Sequence, residues 1–409
     1  MQTSSLIEKN TEHPSARLNV IAAIAALMGL GQGGLLVSLP GLVLTTGLSL
    51  PTWSMIIAVG SVLFLPASPY WGRQSDMHGP KAILLQALMG FSLSFGLMFL
   101  FVSFYDSALL SPLLLVIGLI IARVIYGVTV AGMVPAAQHW AVMSVGENQR
   151  LEAITTISAG LSTGRLCGPL LAVLLLSVHP LAPLMVLMLL PLIALIFVVK
   201  LAEPKRQFKT HHQDNPEARK VAIFPPVSLL FFLLTAAFGA AAIGLMQYTL
   251  SPLLILQAGI SLDMATQGVG YLLTLSAAVT LLTQIFVVKK KRVRVENMYL
   301  LGGNLMLVGF SMFFIPDWRG FSLACVLVAI GGAMLVPAYT ASAMNLLPTS
   351  QGVISGYIAM AHTVGYGLAA LLALTLAFHV LWPVSINVAL AGLVVVMSLC
   401  VRRKQHRTE

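Results

Sequence analysis

Twelve stretches of this chain are apolar for long enough to cross a bilayer, and they leave almost no room for a soluble domain. A helix rises about 1.5 Å per residue, so roughly 20 apolar residues cover about 30 Å of hydrocarbon. Runs of that kind, read between charged or Pro/Gly-rich breaks, lie near 18–43, 53–72, 82–104, 111–138, 152–176, 183–200, 227–256, 268–288, 298–315, 321–343, 352–377 and 380–401. Only 9% of the 409 residues are charged and 58% are hydrophobic, so most of the surface must face something as apolar as itself. The first run is about 25 residues, longer than the signal-peptide core of about 7 to 15, and is expected to stay in the protein. The fold class that follows is an all-α membrane protein with 12 transmembrane helices.

The spans divide six and six around one hydrophilic segment, AEPKRQFKTHHQDNPEARKVAIFPP, after Leu201. The expected organisation is a cytoplasmic tail 1–17, a six-helix bundle 18–200, a linker 201–226, a second six-helix bundle 227–401 and a tail 402–409. With the N-terminus taken as cytoplasmic, 20 of the 23 Lys and Arg residues fall on the cytoplasmic side and only Arg319 falls outside. That asymmetry sets the orientation, with both termini inside, and accounts for most of the net charge of +10. Nucleic acid is not an expected partner, since no soluble basic domain is present. Arg123 and Arg165 are left over, inside the fourth and fifth spans.

The halves resemble each other internally. VPAAQHWAVMSVGENQRLEAITTISAGLSTG from Val134 recurs 202 residues later as VPAYTASAMNLLPTSQGVISGYIAMAHTVG from Val336, and with one deletion Gly164 falls on Gly365. Weak symmetry between six-helix halves is found in secondary transporters that bind substrate near the midplane between the halves.

The loop between the second and third spans reads Gly72-Arg73-Gln74-Ser75-Asp76-Met77-His78-Gly79-Pro80-Lys81. It resembles the cytoplasmic signature of the major facilitator superfamily (MFS), in which a Gly opens the turn, an Asp follows four residues on, and a Gly and a basic residue close it. The resemblance implies two pseudo-symmetric six-helix bundles and makes Gly72, Asp76, Gly79 and Lys81 gating residues. Physically, the glycines allow a tight turn and Asp76 can accept hydrogen bonds from a neighbouring helix N-terminus. Met77 stands where the family often has Arg. The matching loop of the second half, KKKRVRVENM from Lys289, keeps the positive charge without the Asp and Gly pattern.

Arg123-Val124-Ile125-Tyr126-Gly127 in the fourth span resembles the family's Arg-x-x-x-Gly element. In the fifth span Gly164, Gly168 and Pro169 match a Gly-x-x-x-Gly-Pro core that the family associates with exporters working by antiport, and they join the gating set. Glycines four apart make a flat face on which a second helix can close, and Pro169 kinks the helix. Arg165 departs from the pattern, as a charge inside what is normally an apolar interface, and Leu170 to Ala172 stand where further small residues are expected.

Arg123 and Arg165 are each about a dozen residues into their spans, which places both near the midplane on neighbouring helices. An intramembrane Arg costs roughly 2.5 to 3.5 kcal/mol on insertion scales. No Asp or Glu lies in the middle of any span, and Glu152 sits at the inner end of the fifth. Substrate, water or backbone oxygens must offset the two charges, or hydroxyls such as Ser162 and Tyr126 must satisfy them. The substrate site is expected around Arg123, Arg165, Tyr126 and Gln32 of the first half and Gln247, Tyr248, Tyr339 and Tyr366 of the second. Tyr357, near a span end, reads as an interfacial anchor. Family exporters of cationic drugs commonly place a carboxylate in the first span, where this chain has only Gln32 and Ser38.

Proton coupling needs a group that titrates as the site alternates sides. His362 near a midplane is one candidate; Asp76 and Glu152 at the inner end are the others. The function expected is proton-coupled export of a small anionic or polyoxygenated molecule (siderophore, acidic metabolite or drug) by alternating access in the inner membrane. The alternatives are a proton-coupled importer of an organic anion and a cationic multidrug efflux pump. No nucleotide-binding Gly-rich element, catalytic constellation or metal-ligand set is found, so neither enzyme activity nor a cofactor is expected, with the proton gradient as energy source. HHQD at 211–214 reads as a solvated linker run. Cys167, Cys325 and Cys400 read as small core residues, and the chain is expected to act as a monomer in the bilayer.

Overall fold

The computed structural model describes residues 14–203 and 225–405; HHQD at 211–214, most of the linker and the outer parts of both tails lie outside the described residues. Thirteen α-helices make up the described bundle: α1 (Pro14–Thr46), α2 (Leu50–His78), α3 (Pro80–Asp106), α4 (Pro112–Val130), α5 (Met133–Val145), α6 (Arg150–Leu176), α7 (Ala182–Lys200), α8 (Leu230–Leu256), α9 (Leu262–Thr283), α10 (Val295–Met312), α11 (Trp318–Leu346), α12 (Gln351–Leu372) and α13 (Trp382–Gln405). Helix is the expected state in lipid, because each segment then satisfies its own backbone. Eleven of the spans are long and apolar enough to cross a membrane. The ninth span, α10, is 18 residues long and diluted by Glu296, Asn297 and Asn304; it packs chiefly on α11 and α13.

The fourth span, expected as one helix, is two. α4 stops at Val130 and α5 starts at Met133. Pro135 has no N–H to give the Ala131 carbonyl, which breaks the ladder there. Gly132 fits at the joint because a Cβ would meet Ile83 and Trp71 side chains at 2.8 and 2.9 Å. The eighth span ends in a single π-helical turn, Gln284–Val288, and the eleventh in a 3-10 turn, Ala373–Ala377.

Packing explains the internal repeat. α1 rests on α6 along its length, and α8 rests on α12. Gly160, Gly164 and Gly168 of α6 lie against the backbone of Ala22, Ala26 and Leu30 of α1. Gly365 of α12 lies in the same way against Ala237 and Ala241 of α8, so the two aligned glycines do the same job in each half. Without a hydrophobic driving force between helices in lipid, such close backbone approach is how they hold together.

The halves meet chiefly through α2 against α12, with smaller contacts of α5 on α12, α9 on α6 and α11 on α6. The named contacts between them gather at the end of the bundle that carries Lys81, Lys200 and Lys289–Arg294, here called the basic end. Toward the far end Tyr366 of α12 is 39% exposed and Gly367 has no neighbour on its free side.

Candidate functional site

At the basic end the chain's own helix chemistry builds a latch. α12 starts after Ser350, whose side chain makes no capping bond, so its first amides lack a partner in their own half. Asp76, at the end of α2, supplies it: Oδ1 accepts from Gly352 N at 2.7 Å and Oδ2 from Val353 N at 2.8 Å. The carboxylate also faces the positive end of the α12 dipole. Opening this seam strips α12 of its cap, and hydrogen bonds to a charged group are worth about 1.5 to 3 kcal/mol each. The glycines make the approach possible. A Cβ on Gly72 would run into the Gly352 backbone, one on Gly352 into Gly72 and Asp76, and one on Gly356 into Ser68 and Pro69.

The rest of the loop ties the latch to its surroundings. Gly79 turns at φ +94°, and its N–H donates to Ser75 O at 3.0 Å. Lys81 Nζ donates to Val199 O and Leu201 O, both at 2.8 Å, satisfying the last carbonyls of α7, and Lys81 N donates to Glu203 Oε1 at 3.4 Å. His139 of α5 sits behind Asp76, its Nδ1 3.6 Å from Oδ1 and 2.9 Å from Ser75 Oγ. Arg150, at the start of α6, adds a second tie by hydrogen bonding Asn345 of α11 in the other half. Neither His139 nor the Arg150–Asn345 pair stands out as a gate in the sequence. Arg150 counts there only as a positive charge on one side, and no spacing rule links it to an Asn 195 positions away.

The midplane candidates separate into two places. Arg123 is enclosed, 4% exposed, with its guanidinium carbon 4.2 Å above the Tyr126 ring, which Phe64, Phe91 and Phe95 surround. Its backbone and guanidinium press on Gly60 of α2, and its Nε and Nη1 have no hydrogen-bond partner among the described residues. A cation–π contact returns about 0.5 to 2 kcal/mol, less than the insertion cost of an Arg. Arg165, by contrast, is exposed on α6. The expectation of two buried arginines on neighbouring helices is therefore corrected. α4 packs on α2 and α3, whereas α6 packs on α1 and α5, and the Gly164–Gly168 face takes the inward side of α6 and leaves Arg165 to one side of it. Arg165 is thus not inside the helix interface, and its charge reaches His362 of α12 across the two halves. Cys167 is also exposed rather than core, on a non-glycine face of the same helix.

Around Arg165 and His362 the remaining candidates assemble in part. The Tyr339 hydroxyl and His362 Nε2 are hydrogen-bonded. Tyr339 stacks obliquely on Tyr299 at 6.4 Å between ring centroids, and the Tyr299 hydroxyl is 2.6 Å from Thr235 Oγ1, which itself donates to Phe231 O. Tyr366 lies against Gly244, and Gly244, Gln247 and Tyr248 share one face of α8, with Gln247 and Tyr248 exposed. Gln32 is exposed on α1, one turn from Gly29, which rests on the Arg165 backbone. Gly33 rests on Pro169. Gly164, Gly168 and Pro169 therefore pack within one half and do not bridge the two. Asp76 is engaged by the α12 amides, and Glu152 is half-buried in the first turn of α6, both at the basic end and away from His362. Tyr357, expected as an interfacial anchor, is 3% exposed, on α12 within electrostatic reach of Arg73. Its position near a span end is also a position in the seam between halves. Among the described residues no cluster of His, Cys, Asp and Glu could hold a metal ion.

This architecture and latch agree with three comparisons. The chain is 32% identical over 136 residues to a multidrug resistance protein MdtG of Dickeya zeae, covering 33% of this chain and 30% of that protein. It is 28% identical over 212 residues to MdtG of Serratia proteamaculans, covering 51% of this chain and 47% of that one. The chain thus spans about a third to half of these relatives' lengths, whereas a 23% match to multidrug resistance protein 1 of Bacillus subtilis covers 76% of both. Among solved structures, FucP in its outward conformation has a TM-score of 0.76 at 12% identity, covering 93% of this chain and 97% of that one. The human organic anion transporter MFSD10 has a TM-score of 0.71 at 18% identity, covering 94% and 99%. The family model described as Major Facilitator Superfamily matches residues 21–370. With the two-bundle fold, the Gly72–Lys81 loop capping α12 and this match over most of its length, the chain belongs to the Major Facilitator Superfamily of membrane transporters.

Proposed function

We propose that this protein exports a small anionic or polyoxygenated molecule, such as a siderophore, an acidic metabolite or an acidic drug, in exchange for protons. The observation that carries the reading is Arg165, exposed on α6 and acting on His362 of α12, at a depth where no span contributes an acidic residue. An uncompensated cation there favours a substrate that brings the negative charge or oxygen acceptors. Tyr366, exposed on α12, offers a hydroxyl, whereas Tyr339, expected at the substrate, is 1% exposed and holds His362; Gln32, Gln247 and Tyr248 lie nearer the far end. Arg123, enclosed on the Tyr126 ring, supports the first half rather than touching the substrate. His362 is the proton carrier in this reading, since an imidazole can take and give up a proton and this one is hydrogen-bonded to Tyr339 within reach of the Arg165 charge. Exchange requires substrate and proton to compete for the site, as they do where a substrate hydroxyl donates to the imidazole nitrogen that a proton would otherwise occupy.

The basic end is the cytoplasmic one in this reading, by the distribution of Lys and Arg, and both termini lie there in the inner membrane. The conformation is then closed inward by the Asp76 latch. The working unit is a monomer, energised by the proton gradient. A second reading, multidrug efflux including cationic compounds, is favoured by the resemblance to the MdtG proteins.

Inverted vesicles with an imposed proton gradient separate the readings. Uptake of anionic candidates, with proton movement that stops in His362→Ala and uptake that collapses in Arg165→Ala, supports the first. Accumulation of cationic dyes alone, indifferent to Arg165→Ala, replaces it with the second.

A further inference from the structure

The seam between α6 and α9 differs from a packed interface. It contains a 380 Å³ groove between the halves, lined by Ala22 and Ala26 of α1, Thr156 and Gly160 of α6, and Gln284 and Lys289 at the end of the eighth span. The walls of α1 and α6 are small side chains, and Thr156 spends its hydroxyl on Glu152 O of its own helix. Asn19 of α1, exposed, lines the same groove, and two groups on the wall of the eighth span remain available. Gln284 is 4% exposed, yet its Oε1 has no partner among the described residues. Lys289 stands at the mouth, at the head of a basic run that continues through Lys290, Lys291, Arg292 and Arg294. The π turn sets this arrangement: Lys289 N donates to Gln284 O at 2.9 Å, five residues back, so the turn is wider than an α-helical one. From Lys289 to Leu281 the groove follows the helix for about 12 Å, a little under half of the roughly 30 Å hydrocarbon thickness.

We infer that this groove binds one anionic glycerophospholipid of the cytoplasmic leaflet, with its phosphate at Lys289, its glycerol-ester region at the Gln284 amide and an acyl chain along Ala22, Ala26 and Gly160. An ester carbonyl supplies a partner for the Gln284 amide, whose NH2 takes the buried position when the amide is turned over, and the phosphate supplies the charge the basic run seeks. Basic pockets between transmembrane helices on the cytoplasmic side are suited to such headgroups, and each Lys or Arg near an anionic surface is worth about 1 kcal/mol. One chain wedged between α6 and α9 bridges the two halves where they have no latch, so the lipid favours the state closed at the basic end. The inference rests on the orientation proposed above.

The test is native mass spectrometry of the full chain released from micelles mixed with phosphatidylglycerol, phosphatidylcholine or glycerol 3-phosphate. The expected result is one tightly retained phosphatidylglycerol, about tenfold preferred over phosphatidylcholine, as 1.4 kcal/mol gives. Retention is expected to fall at least about fivefold in Lys289→Glu and in Gln284→Leu, on the scale of a lost charged hydrogen bond, and to vanish in Ala159→Phe, which fills the groove. Melting temperatures of the variants identify any that fail to fold, and Lys289→Glu, on the surface, keeps the test decisive. Equal retention of phosphatidylcholine, unchanged retention in the folded variants, or displacement of the lipid by glycerol 3-phosphate overturns the inference. A Lys289→Cys thiol labelled from one side of sealed vesicles reads the orientation separately, so a failure of topology is distinguished from a failure of the lipid site.

Discussion

The two seams that join the halves occupy corresponding places in the repeat but are built oppositely. Between α2 and α12 the backbones touch through Gly72, Gly352 and Gly356, and Asp76 completes a helix of the other half. Between α9 and α6 the loop has lost its Gly and Asp, the helix end widens into a π turn, and an open groove remains. One charged cap on a glycine face can hold a gate, while its partner seam is free to drift toward another task. Arg150 with Asn345 partly compensates, as a side-chain tie at the N-terminus of α6 in place of a carboxylate cap.

The contrast breaks most easily at the glycines. Gly72→Leu forces a side chain into the Gly352 backbone, and overpacking of about 1 to 3 kcal/mol predicts a fivefold to hundredfold fall in initial transport rate. Thiol labelling at the basic end is expected to rise in parallel, and a variant with unchanged rate and labelling would show that the seam does not gate. Asp76→Asn keeps the shape and removes the charge facing the α12 dipole. A loss of about 1.5 kcal/mol shifts the closed-to-open ratio roughly tenfold, readable by spin labels on α2 and α12. Arg150→Ala removes one side-chain bond between the halves, together with an exposed ion pair to Glu147 within its own half, and a shift of about 1 kcal/mol, near fivefold, is expected in the same measurement. Smallest is Ala159→Leu in the open seam, where the side chain meets no packed backbone and narrows the groove beside the proposed acyl chain without filling it: transport measured in vesicles is expected to stay within about twofold, since changes away from packed features cost about 0.5 kcal/mol or less. A large loss there would mean that both seams close tightly during the cycle.

Much of this architecture is legible in the sequence. The alignment of Gly164 with Gly365 corresponds to one packing role repeated in α6 against α1 and in α12 against α8. Most of the expected Gly72–Lys81 loop continues α2, and only Gly79 carries a local signature, the positive φ of the turn; Gly72 and Asp76 are readable as a pattern, but their reasons lie in the other half. The direction each residue faces is what the sequence conceals. Arg165 and Cys167 look buried in a run of apolar residues, yet they flank the glycine face of α6 on its two opposite sides and are both exposed. Tyr357 looks like an anchor by depth alone, yet α2 covers it. His139 and Asn345 give no signal, since their partners, Asp76 and Arg150, are remote in the chain.

The sequence by itself determined that lipid is the solvent, that the chain crosses it in two related sets of six spans, and that positive charge gathers at one end. Run length, charge placement and residue type decide those properties, and each is local. The tertiary structure alone decided which arginine is enclosed and which stands open beside His362, which amides Asp76 caps, and which of two equivalent seams is tight. Those depend on the rotation of each helix about its axis, which is set by the neighbours it packs against, and a bilayer gives an apolar run no reason to prefer one face until those neighbours arrive.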